Sequence, residues 1–281
     1  MINIGILGLA NIATKEFIPA IIENNFFNLS RIGSVSKFGS TFIEGDSHFN
    51  LCDYDTVVTD PMIDLIYIPL PNSLHYEWIK KSLLNNKHVI CEKTLCPSLE
   101  EYEDLQFTAK KNKLLLFENF QFKFHPQNTR IKELLDSKII GDIRLFKSWF
   151  GFPPFKDLKN IRYDKYLGGG SLLDAGAYPI KLTTFLFGYD FNVIASNLYY
   201  KKKFNVDLYG NGVLINSKGI TSHVGFGFDN FYQCNYEIWG SEGIIKNNRV
   251  FTAKKDFKCT IFVQKNNAEE KIIIEPINHF N

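Results

Sequence analysis

The 281-residue chain has no Cys-x-x-Cys pair, and its five cysteines (Cys52, Cys91, Cys96, Cys234, Cys259) form no zinc spacing with its six histidines. No metal site is expected, and an odd cysteine count without a framework points to free thiols in a reducing compartment. Long basic runs are also lacking. Lys201-Lys202-Lys203 is short, and the net charge is +2, so nucleic acid is not an expected partner. No window of about 18 uninterrupted apolar residues exists, so no membrane span is expected. The apolar N-terminus lacks a basic flank and is broken by Gly5, Gly8 and Asn11, as a buried first strand would be and a signal peptide would not. A cytoplasmic protein is expected.

Aromatic residues, by contrast, are abundant. The 26 Phe and 13 Tyr suit a core and covered sheet faces. Over the first 120 residues, apolar runs at 2–8, 29–36, 64–69, 88–91 and 114–117 alternate with helical spacing at 14–24, 73–84 and 98–112. The run Asp64–Pro69 is continuous rather than alternating, as in a strand buried on both faces. This order predicts a parallel α/β sheet. Residues 127–138 look helical and 142–150 extended. Then come short strands at 193–199, 205–215, 219–228, 231–239, 249–253, 258–264 and 270–275, separated by turns such as Asn266-Asn267. The reading is a Rossmann domain over 1–122, and an α+β domain over 123–281 built on a large, mostly antiparallel open sheet.

Gly8-x-Ala10-x-x-Ala13, between a strand and a helix, fits the dinucleotide fingerprint G-x-G-x-x-G/A. The first position makes a tight turn, the second lets backbone approach a pyrophosphate at the helix N-terminus, and the third allows close packing. Gly8, Ala10, Asn11 and Ile12 are the expected contacts. Ala10 in place of the second glycine weakens the match, and any tight strand-to-helix turn favours such residues. An acid that would bind a ribose 2′-hydroxyl is absent between residues 29 and 43. Ser36-Lys37 stands there instead, suited to a 2′-phosphate, although an ordinary surface lysine fits equally. NADP(H) is favoured over NAD(H).

Two segments could carry chemistry. Glu92-Lys93-Thr94 follows a strand whose carboxyl end should face a ligand crevice; by itself it also reads as a surface pair. Leu167–Pro179 holds three glycines and a helix start that would put Asp174 and Tyr178 on one face. Ser171-x-x-Asp174 also fits a capping box, and Tyr178 a core position. A tyrosine near an ammonium makes a sound acid/base unit, because the cation stabilises the phenolate.

In combination and order, Gly5–Ala13, Ile68–His75, Lys87–Lys93, Glu118–Gln121 with Phe124–Pro126, and Gly168–Pro179 resemble the Gfo/Idh/MocA oxidoreductase family over essentially the whole chain. The resemblance implies that Leu70, Pro71, Asn72 and His75 line the nicotinamide side. It places Glu92 and Lys93 on the family's Glu-Lys-Pro motif, with Lys93 near nicotinamide ribose and substrate. It places Asp174 in the substrate pocket. The C-terminal sheet would cover that pocket on one face and pair with another copy, as a homo-oligomer, on the other.

Two departures stand out. Thr94 replaces the motif's proline, which should loosen the turn. Tyr178 replaces a common histidine, as in the branch of glucose-fructose oxidoreductase, dihydrodiol dehydrogenase and nucleotide-sugar ketoreductases, where the tyrosine donates the proton. Family chains also continue beyond a stretch like Ile274–Asn281, so this chain is truncated or naturally short. The resulting expectation is hydride transfer between nicotinamide and a secondary alcohol or ketone of a sugar-like substrate. Lys93, Tyr178 and Asp174 would be catalytic, and Arg162 would hold a phosphate or carboxylate. The alternatives are a diol or aldose dehydrogenase, and a non-catalytic dinucleotide sensor.

Overall fold

The computed structural model describes residues 1–266 and 268–278. The chain divides into two compact units, Met1–Phe120 and a second from Gln121 onwards.

The first unit contains strands β1 (Ile2–Leu7), β2 (Phe27–Gly33), β3 (Thr41–Glu44), β4 (Ser47–Asn50), β5 (Leu65–Ile68), β6 (His88–Glu92) and β7 (Leu116–Asn119). Its helices are α1 (Ile18–Ile22), α2 (Tyr54–Thr59), α3 (Asn72–Leu84) and α4 (Leu99–Lys111). A π-turn, Ala13–Phe17, leads into α1. The five-stranded parallel sheet runs β2-β1-β5-β6-β7. Cys52 adds one parallel bridge to Gly33, a third strand of the first half-fold reduced to a single contact. The apolar run of β5 explains itself here. Ile66 and Ile68 join a core with residues of α2, α3 and α4, while Tyr67 joins a second core with Ile18 and Ile21 of α1. Both faces are covered, so alternation is lost.

Several sequence expectations shift. β2 ends at Gly33 rather than at residue 36, and the β3–β4 hairpin and α2 were not expected. Asp53 caps α2, its side chain accepting from Thr56 N at 2.6 Å.

The second unit begins with α5 (Pro126–Asp136) and β8 (Ile143–Gly151), followed by α6 (Ala177–Phe187). Then come β9 (Phe191–Tyr200), β10 (Asp207–Asn216), β11 (Thr221–Gly227), β12 (Gln233–Gly240), β13 (Gly243–Asn248), β14 (Cys259–Lys265) and β15 (Ala268–Ile274). The eight strands lie in the order β15-β14-β13-β12-β8-β11-β10-β9. Only the β8–β11 pair is parallel. The strand expected at 249–253 lies earlier, as β13; Val250 and Phe251 are instead buried beside β12, Val250 N reaching Cys234 O at 3.2 Å. Of the expected turn Asn266-Asn267 and the C-terminal stretch Ile274–Asn281, Asn267, His279, Phe280 and Asn281 lie outside the described residues. Among the described residues, no helix is long and apolar enough to cross a membrane.

Candidate functional site

After β1 the chain turns to β2 on one side, while β5 pairs on the other. The carboxyl ends of β1 and β5 therefore open the kind of crevice in which parallel α/β sheets bind ligands. Gly8 turns out of β1 at φ +104, its N–H donating to Gly33 O at 2.9 Å. A Cβ there would stand 2.9 Å from Leu70 Cδ2, so turn and packing both require glycine. Ala10 and Ile12 are partly exposed and Asn11 is exposed at the start of the helical segment, whose first N–H groups have no partner within the helix. Ala13 is fully buried, filling the close-packed third position.

Because β2 is short, Ser36 and Lys37 lie in the turn beyond it, both exposed. The backbone there is fixed: Lys37 N donates to Ser34 Oγ at 3.2 Å and Ser40 Oγ to Lys37 O at 2.7 Å. Arg31, the other cation of this edge, is taken by Asp60. An exposed hydroxyl and ammonium on a fixed turn, with no carboxylate among residues 29–43, fit the 2′-phosphate of NADP.

At the end of β5, Leu70 and Pro71 lead into α3, whose first residue is Asn72. His75, expected to line the cofactor side, lies in α3. Its ring is 0 % exposed and spans two backbone carbonyls, Thr94 O at 2.7 Å from Nδ1 and Leu70 O at 2.8 Å from Nε2. Burial pushes this imidazole below its ordinary pKa, against the opposing pull of the two carbonyls. His75 thus ties the Leu70 loop to the turn after Lys93. The Lys93-Thr94 peptide of that turn is cis.

Glu92, the last residue of β6, does not simply point outward. Its Oε1 accepts from Tyr67 OH and from Asn119 Nδ2, both at 2.7 Å. Tyr67 and Asn119 were missed by sequence reasoning, since they lie 25 and 27 residues from Glu92 and share no motif with it.

In the second unit the glycine cluster packs against protein. Gly169 N donates to Asp164 O at 2.9 Å and Gly170 N to Arg162 O at 3.0 Å. Gly170 has φ +117, and a Cβ there would fall 2.4 Å from Asp207 Oδ1. Asp207, at the start of β10, accepts from Ser171 Oγ at 2.7 Å and Leu172 N at 2.6 Å. Ser171, whose spacing to Asp174 also fits a capping box, makes no side-chain cap bond. A buried carboxylate from a distant strand replaces it at the start of the helical segment, where negative charge is favoured. Nothing local in the sequence marks Asp207 for this.

That segment runs through a π-turn, Leu172–Gly176, into α6, and carries Asp174 and Tyr178, both partly exposed. Arg162 Nε donates to Asp174 Oδ2 at 2.5 Å, and the guanidinium lies 5.1 Å over the Phe155 ring. Arg162, expected to hold a phosphate or carboxylate on substrate or cofactor, is thus joined to Asp174. Tyr178 stands in an aromatic wall, with ring centroids 5.0 Å from Phe150, 5.4 Å from Phe251 and 5.9 Å from Phe122. The face it belongs to is therefore apolar, with a polar pair one helical turn away.

Comparison with known proteins agrees with this architecture. Residues 2–120 match the family model described as "Oxidoreductase family, NAD-binding Rossmann fold". Residues 128–246 match the GFO/IDH/MocA C-terminal domain. The chain is 33% identical over 288 residues to dTDP-3,4-didehydro-2,6-dideoxy-alpha-D-glucose 3-reductase of Actinomadura kijaniata, covering 99% of this chain and 84% of that one. It is 29% identical over 249 residues to D-xylose 1-dehydrogenase (NADP(+)) 2 of Haloferax volcanii, covering 88% and 76%. Among solved structures, a 3-ketoreductase from Actinomadura kijaniata in complex with NADP and TDP-benzene superposes with a TM-score of 0.91 at 31% identity, covering 99% of this chain and 86% of that one. With both domain models matched in order along one chain, this protein belongs to the Gfo/Idh/MocA family of oxidoreductases.

Proposed function

We propose that the chain is an NADP-dependent ketoreductase that acts on a keto group of a nucleotide-linked deoxysugar. The single observation that carries this reading is the co-occurrence of three features. Ser36-Lys37 is exposed where an NAD enzyme would place an acid, Lys93 stands at the end of β6, and Tyr178 is set in an aromatic wall. The reductase from Actinomadura kijaniata, named for such a sugar, matches 99% of the chain.

In this reading Gly8, Ala10, Asn11 and Ile12 receive the pyrophosphate, and Ser36 and Lys37 the 2′-phosphate. Leu70, Pro71 and Asn72 lie along the nicotinamide side, held in place by His75, and Glu92 and Lys93 close the ribose end. When bound, NADPH would supply the hydride. Tyr178 gives its phenolic proton to the substrate oxygen as that oxygen gains charge, and the Lys93 ammonium stabilises the charge. Asp174, fixed by Arg162, orients a substrate hydroxyl. The aromatic wall around Tyr178 excludes water and suits the apolar face of a deoxygenated ring.

Two measurements test this. Lys37→Ala should weaken NADPH binding about 10- to 100-fold, the worth of one charge-assisted bond, while leaving NADH binding unchanged. Equal weakening of both cofactors would move the 2′-phosphate away from this turn. A panel of dTDP-linked ketosugars and free aldoses, followed at the nicotinamide absorbance band, tests the substrate class. Turnover confined to free pentoses would favour the xylose dehydrogenase-like alternative, and binding without turnover a sensor.

A cytoplasmic place is part of the proposal and is supported by five free cysteines. So is a homo-oligomer through the outer face of the second sheet. There Trp149, Tyr199 and Trp239 are 38%, 45% and 51% exposed, a concentration of large apolar side chains that a second copy would cover. A solution mass of one chain would contradict it.

A further inference from the structure

The carboxyl ends of β5, β6 and β7 gather Tyr67, Glu92 and Asn119. Glu92 and Asn119 face each other in register, and Tyr67 comes from the adjoining strand. The Tyr67 ring is fully buried and stacked on Phe17, with centroids 3.7 Å apart and an interplanar angle of 16°, so its hydroxyl has one place to go. Both neutral donors meet the same oxygen of Glu92. Donors to a carboxylate favour its ionised form, while loss of water disfavours it. Here burial pushes the Glu92 carboxyl above its ordinary value, and Tyr67, Asn119 and the charge of Lys93 pull it back. Burial and the neighbouring Glu92 carboxylate push the Tyr67 hydroxyl far up, so it remains a donor throughout the working range. Other titratable groups around this strand end include Cys91, a buried thiol pushed well up; Cys96, a thiol that burial pushes up to about 11; Glu118, which accepts from Leu95 N at 3.0 Å; and His75. Glu92 is therefore a carboxylate whose charge depends on two specific donors, directly before the lysine assigned to the reacting oxygen.

We propose that Tyr67 and Asn119 are positioning residues: through Glu92 they keep an anion beside Lys93 and so hold the Lys93 ammonium in place. The proposal rests on the part given to Lys93 in the reaction. Without the Tyr67 hydroxyl, Glu92 takes up a proton at higher pH, and Lys93 loses its counter-charge over the range in which the wild type still works. A role in packing alone would lower stability and leave the pH dependence where it was.

The test is the pH profile of kcat for the wild type, Tyr67→Phe, Asn119→Ala, Glu92→Gln and Lys93→Met. Tyr67→Phe keeps the ring stacked on Phe17 and should move the acid limb up by about one pH unit, the worth of a hydrogen bond to a charged group. Asn119→Ala should move it the same way, which keeps the test open should one variant fail to fold. Glu92→Gln should abolish that limb at reduced turnover. A wild-type acid limb in whichever donor variants fold, with Lys93→Met impaired, overturns the proposal. Undiminished turnover in Lys93→Met overturns instead the reading of Lys93.

Discussion

Replacing Tyr178 by Phe should lower kcat by about 10²- to 10⁴-fold, the usual worth of a positioned general acid, with NADPH binding retained. The substitution isolates the proton because the phenyl ring keeps every aromatic contact. Phe122, Phe150 and Phe251 surround the ring at 5.0–5.9 Å, and these contacts do not involve the hydroxyl. Tyr178→Ala would be a poorer experiment, since it opens a hole among three phenylalanines and confounds chemistry with packing. NADPH fluorescence titration and a denaturant unfolding curve serve as controls. Undiminished turnover with both controls unchanged would remove Tyr178 from the chemistry.

Lys93→Met should cost about 10²- to 10³-fold in kcat, the range seen when one preorganised donor to a developing oxyanion is lost. Methionine keeps much of the length and apolar stem, so the change is mainly in charge. Lys93→Arg should not restore full activity, because a planar fork does not replace a compact ammonium. If both residues serve one step, the double variant Tyr178→Phe/Lys93→Met should be little worse than the weaker single variant. Multiplying losses would mean that the two act on separate steps.

How much of this was legible in the sequence depended on the range of the interactions. The covered sheet of the first unit was readable because the continuous run at Leu65–Ile68 reports two buried faces at once. The β3–β4 hairpin was not, because its residues are partly or wholly exposed and contribute little apolar pattern. β13 was misplaced for a related reason. Ile244 and Ile245 sit among Gly243, Lys246 and Asn247, while the more apolar Val250 and Phe251 beyond it are buried without forming a strand.

Within the site, motifs located residues but not their partners. The glycines at 168–170 suggested a close approach to something, and the something is the backbone of Arg162 and Asp164 and the carboxylate of Asp207. His75 was recognisable as part of a motif, yet its burial between two carbonyls depends on a loop 19 residues away. Ser171 and Asp174 have capping-box spacing, but Asp207 and Arg162 outcompete that local bond. Local periodicity records which face is buried; it does not record which distant polar group arrives there.

Incubation of the protein with NADPH and a dTDP-linked 3-keto deoxysugar, with both cofactor oxidised and sugar alcohol formed measured, should consume one NADPH per dTDP-linked alcohol, with NADH a much poorer substitute. Tight binding of NADPH with no alcohol formed from this sugar or from any ketosugar nucleotide in the panel would contradict the proposed ketoreductase activity.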